Sequence, residues 1–475
     1  MKKSILNEFN VKILFVISTI FYCIPYFMVF VDSFMNLLIL WAAVVVGWDL
    51  ANRHDILKTH SALIGILFLS SFVCTIFLNK FSTVNLKLLV YIFLQLCFFT
   101  YFDSRKTKEE VINEFNKFSS VIIGITFLLN IISLYLFFSG YCEVFTNSVT
   151  SMELIVGRHP NSSLYGIMSN SNWTSFLELT SIGLLKLQKK RYGKTKKREK
   201  VALCLCIITL FLTNSRGGLI GFLVFSSIES AVSFIYFLKR NRKKAAKCLV
   251  FFPILIALIL SGNLAVKNIS GNIFQYIQSR KVVLDTLDEQ QEYSSISKNS
   301  STVERDKSEK EGSNNIRVEL WQAGIKVILE NFLVGIGGAE IGEHVSAKLC
   351  SNTQVDSLAL ASNTHNIFIQ TALTAGIIGV ICFCVYISRE FLYGLFYLIA
   401  GSKNKEIEEI TGILLSLLVS YLVINMVEAD IFMSRNFMSS LFWIFLGYMT
   451  RLVQMTVKDR RKSNEIHIYH TCALE

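Results

Sequence analysis

Three short polar stretches interrupt an otherwise apolar chain, and each contains a side chain suited to chemistry. Residues 213–218 read TNSRGG and place Arg216 between two apolar runs. A charged side chain at the end of a membrane span is costly unless it snorkels, is paired or faces water. Arg216 is therefore either an interfacial anchor or a ligand-binding cation. The two glycines beside it allow a ligand or another backbone to approach closely.

The other two stretches supply a histidine and a second arginine. Residues 362–366 read SNTHN and place His365 just before an apolar run. Histidine is the side chain best suited to take up a proton near neutral pH, so His365 is either a general base or a hydrogen-bonded interfacial residue. Arg317 lies in the run NIRVELW (315–321), whose apolar residues have helical spacing. Taken alone, Arg317 would be a solvated side chain on an amphipathic helix.

The elements that position these residues are predicted to be membrane-spanning helices. The 475 residues are 52% apolar and only 17% charged, and the apolar residues form repeated runs of about 20. This composition excludes a soluble enzyme and predicts an all-α polytopic membrane protein with about twelve spans. The predicted spans lie near 11–31, 34–50, 61–78, 83–102, 118–139, 164–186, 200–215, 217–238, 248–265, 376–400, 408–427 and 436–456.

The net charge of +12 is concentrated in short loops between apolar runs. Nine of the residues 186–200 are basic, as are six of the residues 239–247. Basic loops mark the cytoplasmic face, so we interpret this charge as a topology signal and expect no nucleic-acid partner. The chain is then a multi-pass protein of the cell (plasma or inner) membrane with both termini cytoplasmic. The same topology places the three polar stretches on the extracytoplasmic side.

The predicted topology divides the chain into four parts. Residues 1–265 hold spans one to nine, and residues 266–365 form one large extracytoplasmic loop between spans nine and ten. Two runs in this loop, 269–283 and 316–333, predict amphipathic helices on the outer membrane surface, and the Ser-, Asn-, Lys- and Glu-rich stretch 285–315 predicts a flexible insert. Residues 366–456 hold a re-entrant segment and spans ten to twelve, and residues 457–475 form a cytoplasmic tail.

Cysteine and histidine placement gives little support for a disulfide framework or a metal site. Eight of the eleven cysteines lie in apolar runs, where they behave as small hydrophobic residues, and only Cys142 and Cys350 fall on the outer side as a possible pair. The spacing of His159, His344 and His365 does not favour a shared metal, and we expect no cofactor. Glu428, Asp430 and Arg435 at an outer helix end are either helix-packing partners or residues of a cleft.

The three stretches, taken in order, resemble the O-antigen ligase and polysaccharide repeat-unit polymerase family. The similar runs are TNSRGGLIGFLV (213–224), IRVELWQAGIKVILENFLVGIGGAE (316–340) and SNTHNIFIQTALTAGIIG (362–379), with a weaker match at SNSNWTSFLEL (169–179). The resemblance implies a GT-C-like membrane fold and a metal-independent glycosyltransferase. Such an enzyme moves glycan from an undecaprenyl-diphosphate donor to a sugar hydroxyl on the outer leaflet.

The resemblance also implies roles for individual residues. With no metal, cations of the protein must stabilise the leaving diphosphate, which suits the guanidinium groups of Arg216 and Arg317. His365 would then be the general base that takes the proton of the acceptor hydroxyl. We expect the polar neighbours of these residues, together with a histidine that could line the acceptor cleft, to bind substrate: Asn172, Asn214, Ser215, Asn366 and His159.

The first functional hypothesis is a polymerase that joins undecaprenyl-diphosphate-linked oligosaccharide repeat units into capsule, exopolysaccharide or O-antigen. Its sibling is an O-antigen ligase that transfers glycan to a lipid A core or another acceptor, and sequence does not separate the two. The implied partners are the lipid-linked oligosaccharide, the growing glycan acceptor and the bilayer, with a chain-length regulator and a flippase as further candidates. A multi-span flippase or transporter is the alternative from another class, although it would need ionisable groups near the membrane midplane.

Overall fold

The computed structural model of the chain describes residues 7–59, 61–79, 81–146, 153–159, 163–192, 197–288, 307–349, 361–401 and 404–472. The first helices are α1 (Glu8–Tyr22), α2 (Met28–Asn52), α3 (Ala62–Leu78), α4 (Thr83–Phe93, continued by a π-helical turn at Leu94–Phe98) and α5 (Lys108–Phe138). Three strands follow: β1 (Cys142–Thr146), β2 (Glu153–Arg158) and β3 (Leu164–Gly166). The remaining helices are α6 (Ser171–Tyr192), α7 (Lys197–Leu212), α8 (Arg216–Arg240), α9 (Arg242–Asp288), α10 (Lys307–Glu330), α11 (Ile341–Ser346), α12 (Ile367–Ala400), α13 (Lys405–Ile424) and α14 (Phe437–Cys472).

The predicted class, a helical membrane protein, is confirmed. A helix overlaps each of the twelve predicted spans. Within the described ranges, six helical segments are long and apolar enough to cross a bilayer: Pro25–Asn52, Lys108–Phe138, Arg216–Leu238, Arg242–Ile277, Ile367–Ala400 and Lys405–Ile424. Two shorter apolar helices, Ala62–Leu78 and Thr83–Phe98, accompany them. The count of twelve spans therefore stays a prediction.

The boundary between the first two predicted spans was wrong. The sequence predicted spans at 11–31 and 34–50, whereas α1 ends at Tyr22 and α2 begins at Met28. A short 3₁₀ turn, Pro25–Phe27, separates the two helices. Proline has no backbone N–H and its ring clashes with the preceding turn, so Pro25 ends the first helix well before residue 31.

A small antiparallel sheet between α5 and α6 was not predicted. Its strand order is β1-β2-β3, with Cys142 opposite Gly157 and Gly157 opposite Gly166. The sixth predicted span was placed at 164–186, but β3 occupies its first residues and α6 begins only at Ser171. The side chain of Asn170 explains this start, because its Oδ1 accepts hydrogen bonds from the backbone N–H groups of Asn172 and Trp173.

The large loop is more helical and more closely packed on the protein than predicted. The run 269–283 continues α9, which extends without interruption from Arg242 to Asp288 because no residue strong enough to end a helix follows the apolar run. Helices enter both edges of the predicted insert, and residues 289–306 lie outside the described residues. One apolar face of α10 packs on the protein, because Leu320, Ala323 and Val327 are buried in a cluster with Leu373 of α12. Val318, Ile325 and Leu329 of the same helix are exposed, so its location on the membrane surface stays a prediction. Cys350 of the possible disulfide also lies outside the described residues.

Helices α13 and α14 form the centre of the bundle. Most residues of α13 are buried, and it packs against α6, α8, α12 and α14. Small residues permit this close packing: a Cβ added at Gly221 of α8 would lie 2.4 Å from the Ile424 side chain at the end of α13. The segment 425–436, which links α13 to α14, is therefore held at the meeting point of several helix ends.

Helix α12 is broken near its start, at Gly376, where φ is +65° and ψ is −171°. The segment that follows α10 pairs with the break: the N–H of Ile377 donates to Phe332 O at 2.9 Å, and the N–H of Ile336 donates to Leu373 O at 2.7 Å. These bonds replace part of the helical ladder that the break removes. They also fix α10 relative to the first turns of α12, which begin immediately after His365.

Candidate functional site

The side chain of Glu428 joins three of the residues that the sequence singled out. Nδ1 of His365 lies 3.0 Å from Glu428 Oε2. Arg317 Nη2 donates to Glu428 Oε1 at 3.0 Å, and Asn172 Nδ2 donates to the same oxygen at 2.7 Å. Only 8% of the Glu428 side chain is exposed. These hydrogen bonds compensate for the water that the carboxylate loses on burial. We call Glu428, His365, Arg317 and Asn172 the carboxylate cluster.

Hydrogen bonds to the backbone that follows α13 bring His365 beside Glu428. The side-chain Nδ2 of Asn366 donates to Met426 O at 3.0 Å, and the backbone N–H of Ile367 donates to Asn425 O at 3.0 Å. Asn366 also caps α12, because its Oδ1 accepts from the N–H groups of Phe368 and Ile369. Asn366, predicted to bind substrate, therefore has a positioning role in the structure.

His365 itself has an unusual backbone conformation, with φ at +50°. Its N–H donates to Asn363 Oδ1 at 2.9 Å, which supports this conformation. Positive φ values are uncommon outside glycine and often mark functional sites where the surroundings hold a strained residue. With this conformation, His365 is not part of α12, and its ring points towards Glu428.

Helix α10 presents Arg317 to the same carboxylate. Trp321 lies one turn further along this helix, and its Nε1 donates to Thr364 O at 2.7 Å. Arg317 and Trp321 are four residues apart and therefore share one face of α10. The Trp321–Thr364 hydrogen bond and the Arg317–Glu428 ion pair both hold this face against the residues around His365. The sequence alone favoured a solvated Arg317, whereas the structure pairs it with Glu428.

The polar turn 213–218 connects to the carboxylate cluster through Asn172. Ser215 caps α8 by accepting from the N–H of Gly218 at 2.9 Å, and its Oγ donates to Asn172 Oδ1 at 2.7 Å. Asn214 has a φ of +52°, and its Oδ1 accepts from Lys267 Nζ at 2.6 Å. A continuous chain of hydrogen bonds thus runs from the start of α8 to Glu428.

Arg216 is the first residue of α8, next to this chain of hydrogen bonds, and it is exposed. The second of the two glycines that follow it serves helix packing: a Cβ added at Gly218 would lie 2.4 Å from the side chain of Ser175. Gly218 therefore allows α8 to approach α6 closely. The first turn of α8 carries the positive end of the helix dipole together with the Arg216 guanidinium, a combination that attracts anions.

The two other histidines that the sequence predicts on the outer side have different surroundings. His159 follows β2 and stacks on the Tyr165 ring, with ring centroids 4.5 Å apart. His344, on α11, lies 3.5 Å from Glu340. Within the described ranges, no group of three or more His, Cys, Asp and Glu side chains is arranged to hold a metal ion.

Sequence reasoning did not assign Glu428 or Lys267 to the site. Glu428 was noted as an acid at an outer helix end, equally consistent with packing. In the sequence, Lys267 is a single basic residue just after an apolar run, which does not by itself indicate a site. Neither signal identifies a partner, because the contacts of both residues join segments far apart in the sequence.

A second acid close to Glu428 carries an altered pKa. Burial and, to a smaller extent, the neighbouring charge of Glu428 raise the pKa of Asp430 from 3.8 to about 7, and this net value already includes the opposing influence of His365. The N–H of Asp430 donates to Asn425 Oδ1 at 2.7 Å, and Asn436 Nδ2 donates to Asp430 Oδ1 at 2.8 Å. Asp430 therefore titrates near neutral pH beside a carboxylate that accepts three bonds.

The arrangement is suited to proton transfer next to an anion site. A carboxylate on Nδ1 holds the hydrogen on that nitrogen, so Nε2 presents a lone pair that can accept a proton. If His365 becomes charged, the Glu428 carboxylate stabilises the imidazolium. The guanidinium of Arg317 has five N–H donors and binds Glu428 through Nη2. Its other N–H groups can bind an anionic ligand.

Residues 201–384 match the sequence model of the family described as O-Antigen ligase. This segment of the chain is similar to that family. The match confirms the resemblance that the three polar stretches indicated. The matched segment includes Arg216, Arg317 and His365, whereas Asn172 and Glu428 lie on either side of it. A comparison with curated proteins finds no match.

Proposed function

We propose that the protein is a repeat-unit polymerase, which joins undecaprenyl-diphosphate-linked oligosaccharides on the outer leaflet without a metal. The carboxylate cluster is the observation that carries this proposal, because it combines an oriented base with an arginine at one buried acid. The similarity of residues 201–384 to the O-Antigen ligase family supports a membrane glycosyltransferase of the ligase or polymerase type. The product would be a surface polysaccharide such as capsule, exopolysaccharide or O-antigen.

In the proposed reaction, a hydroxyl oxygen of the acceptor glycan attacks the anomeric carbon of the donor glycan. The new glycosidic bond forms as the bond between the anomeric carbon and the diphosphate oxygen breaks, and the electron pair of that bond leaves with the diphosphate. The hydroxyl proton passes to Nε2 of His365, and Glu428 stabilises the resulting charge. Arg216 and Arg317 stabilise the negative charge that develops on the leaving diphosphate. One such displacement inverts the anomeric configuration.

Asn214, Ser215 and Asn172 would support this site from one side. Their hydrogen bonds fix the start of α8, and hence the position of Arg216, relative to Glu428. His159 keeps its proposed place in the acceptor cleft as a ring stacked on Tyr165. The sibling reaction of an O-antigen ligase uses the same chemistry, with a lipid A core or another acceptor in place of the second repeat unit.

The proposal is tested by reconstituting the purified full-length protein in liposomes with purified lipid-linked repeat units. We expect a ladder of polymer from the wild type and loss of polymer from His365→Ala and Arg216→Ala at equal protein level. His344→Ala is the matched control, because His344 is an outer histidine paired with Glu340. Wild-type rates from both site variants would overturn the assignment.

Two further arms of the same assay separate the alternatives. A polymerase makes its ladder from lipid-linked repeat units alone, whereas a ligase forms product only after lipid A core is added. Chelator is expected to leave the rate unchanged. Inhibition by EDTA would instead support a metal-dependent reaction.

A further inference from the structure

A cavity of 680 Å³ lies beside the carboxylate cluster and has no role in the proposed transfer chemistry. It is an open cavity lined by the end of α1, parts of α2 and α4, the start of α6 and the segment before α14. Its volume is within the range of about 300–1,000 Å³ that is common for small-ligand sites. Its lining includes three aromatic rings and several polar or charged side chains, among them Asp32, Asn36, Lys87, Asp430 and Arg435.

Two polar residues of an apolar helix face this cavity. Asp32 and Asn36 are four residues apart on α2 and therefore lie on one face of it. Both lie in the apolar segment Pro25–Asn52. A carboxylate and an amide facing hydrocarbon would be costly, and such residues commonly line a polar cavity instead. The cavity explains why α2 carries them.

An ion pair builds one wall of the cavity. Arg435 Nη1 lies 2.6 Å from Asp32 Oδ1, and the guanidinium lies over the Tyr22 ring, 4.4 Å from its centroid. These contacts connect α2 and the end of α1 to the segment that contains Glu428. Because Asp32 and Arg435 neutralise each other, this wall offers hydrogen-bonding groups without a strong net charge.

The cavity adjoins the reacting centre through two chain neighbours. Trp173 follows Asn172, whose amide donates to Glu428. Asp430, which also lines the cavity, is two residues after Glu428. No lining residue of this cavity comes from α8 or α10, the helices that carry Arg216 and Arg317. The cavity thus lies apart from the arginines assigned to the diphosphate.

We propose that this cavity is the acceptor subsite, which binds a sugar residue of the acceptor glycan and so determines which hydroxyl reaches His365. Two aromatic rings, Tyr91 and Trp173, can pack on the C–H faces of a sugar. Carboxylate and amide groups, including Asn36, can bind its hydroxyls. This proposal rests on the proposed function, because it assumes that a glycan is the acceptor.

The test measures binding of lipid-free oligosaccharide, released by hydrolysis of the host's surface polysaccharide, to the full-length protein in detergent. Saturation-transfer NMR is expected to show contacts with the wild type. Asn36→Leu replaces the amide with an apolar group of similar reach, so we expect affinity to fall about fivefold or more. In the transfer assay, this variant should raise the KM for the acceptor more than it lowers kcat.

Three controls make the result specific. Leu37→Ala changes the next residue of α2, which is 62% exposed and does not line the cavity, and should leave binding unchanged. Asn36→Ala removes the amide without enlarging the side chain. It is used instead if the Asn36→Leu protein elutes as an aggregate. His365→Ala should bind oligosaccharide normally while making no product.

The outcomes separate the subsite from the reaction. Unchanged oligosaccharide affinity in folded Asn36→Leu and Asn36→Ala would overturn the acceptor subsite, even if the wild type polymerises. Binding that depends on Asn36, in a wild type that makes no product from lipid-linked repeat units, would refute the proposed function and leave the sugar site standing.

Discussion

Nδ1 of His365 lies 3.0 Å from Oε2 of Glu428, although the two residues are 63 positions apart in the chain. The contact depends on the pairing of the residues after His365 with the segment that follows α13. It converts an isolated histidine at a helix start into an oriented base with a defined tautomer. Glu428 therefore belongs to the proposed machinery as a positioning residue, because it acts through His365 and Arg317.

Replacing Glu428 with glutamine tests this positioning role. The amide can donate to Nδ1 and so favour the tautomer whose Nε2 carries the hydrogen, which cannot accept a proton. We expect kcat for transfer to fall on the order of 100-fold, with a smaller change in KM. The measurement is initial rates in liposomes across pH 5.5–9, since an altered pH profile distinguishes a change in the base from a loss of folded protein.

Glu343→Gln is the control for that substitution. Glu343 is an exposed acid of α11. It should behave as the wild type. An unchanged kcat and pH profile in Glu428→Gln would show that the His365–Glu428 contact does not contribute to transfer.

Arg317→Lys tests the role of the planar guanidinium. Lysine keeps the charge, but it cannot hold Glu428 and a phosphate oxygen at once with a rigid fork. We expect transfer to fall about tenfold, mainly through a higher KM for the lipid-linked donor. Lys326→Arg, an exposed position of the same helix, is the matched control. Donor kinetics equal to those of the wild type would remove Arg317 from the diphosphate site.

Asp430→Asn tests the raised pKa of Asp430 through stability. Because burial raises this pKa from 3.8 to about 7, the native protein holds a proton that the unfolded chain has lost between about pH 4 and 7. The free energy of unfolding therefore decreases as the pH rises through this window. Asparagine cannot ionise and removes this decrease.

The measurement is thermal aggregation of the detergent-solubilised protein followed by size-exclusion chromatography. We expect the difference in melting temperature, variant minus wild type, to rise between pH 5 and pH 8 by on the order of 2 °C or more. Asp459→Asn, whose carboxylate is 60% exposed and pairs with Lys108, should show no comparable rise. A difference that does not vary with pH would contradict the raised pKa.

Gly376→Ala tests the break in α12. At a φ of +65°, an added Cβ would lie 2.1 Å from Leu333 O, which no side-chain rotation can relieve. Backbone strain together with this clash should cost more than about 2 kcal/mol of stability. The yield of monodisperse protein after heating measures it. Gly124→Ala is the control, since nothing lies within 4 Å of its added Cβ; equal yields from both variants would show that the break tolerates a side chain.

The sequence predicted much of the helical framework because the bilayer imposes a simple length and polarity rule. Errors occurred where local chemistry overrides that rule. Pro25 ended the first helix early, and the side chain of Asn170 placed the start of α6 after a short sheet. The apolar periodicity of α10 was identified correctly, but periodicity does not reveal whether an apolar face meets lipid or protein. Here it packs against Leu373 and its neighbours.

The sequence by itself determined the membrane class, the family resemblance of residues 201–384 and the candidate residues Arg216, Arg317 and His365. These follow from residue types and local order, which a linear pattern records. Only the tertiary structure decided that Arg317, His365 and Asn172 share the carboxylate of Glu428, and that Asp32 and Asn36 face a cavity next to it. The physical reason is that a buried carboxylate is stable only with specific partners, and those partners come from helix ends that meet only when the bundle is assembled.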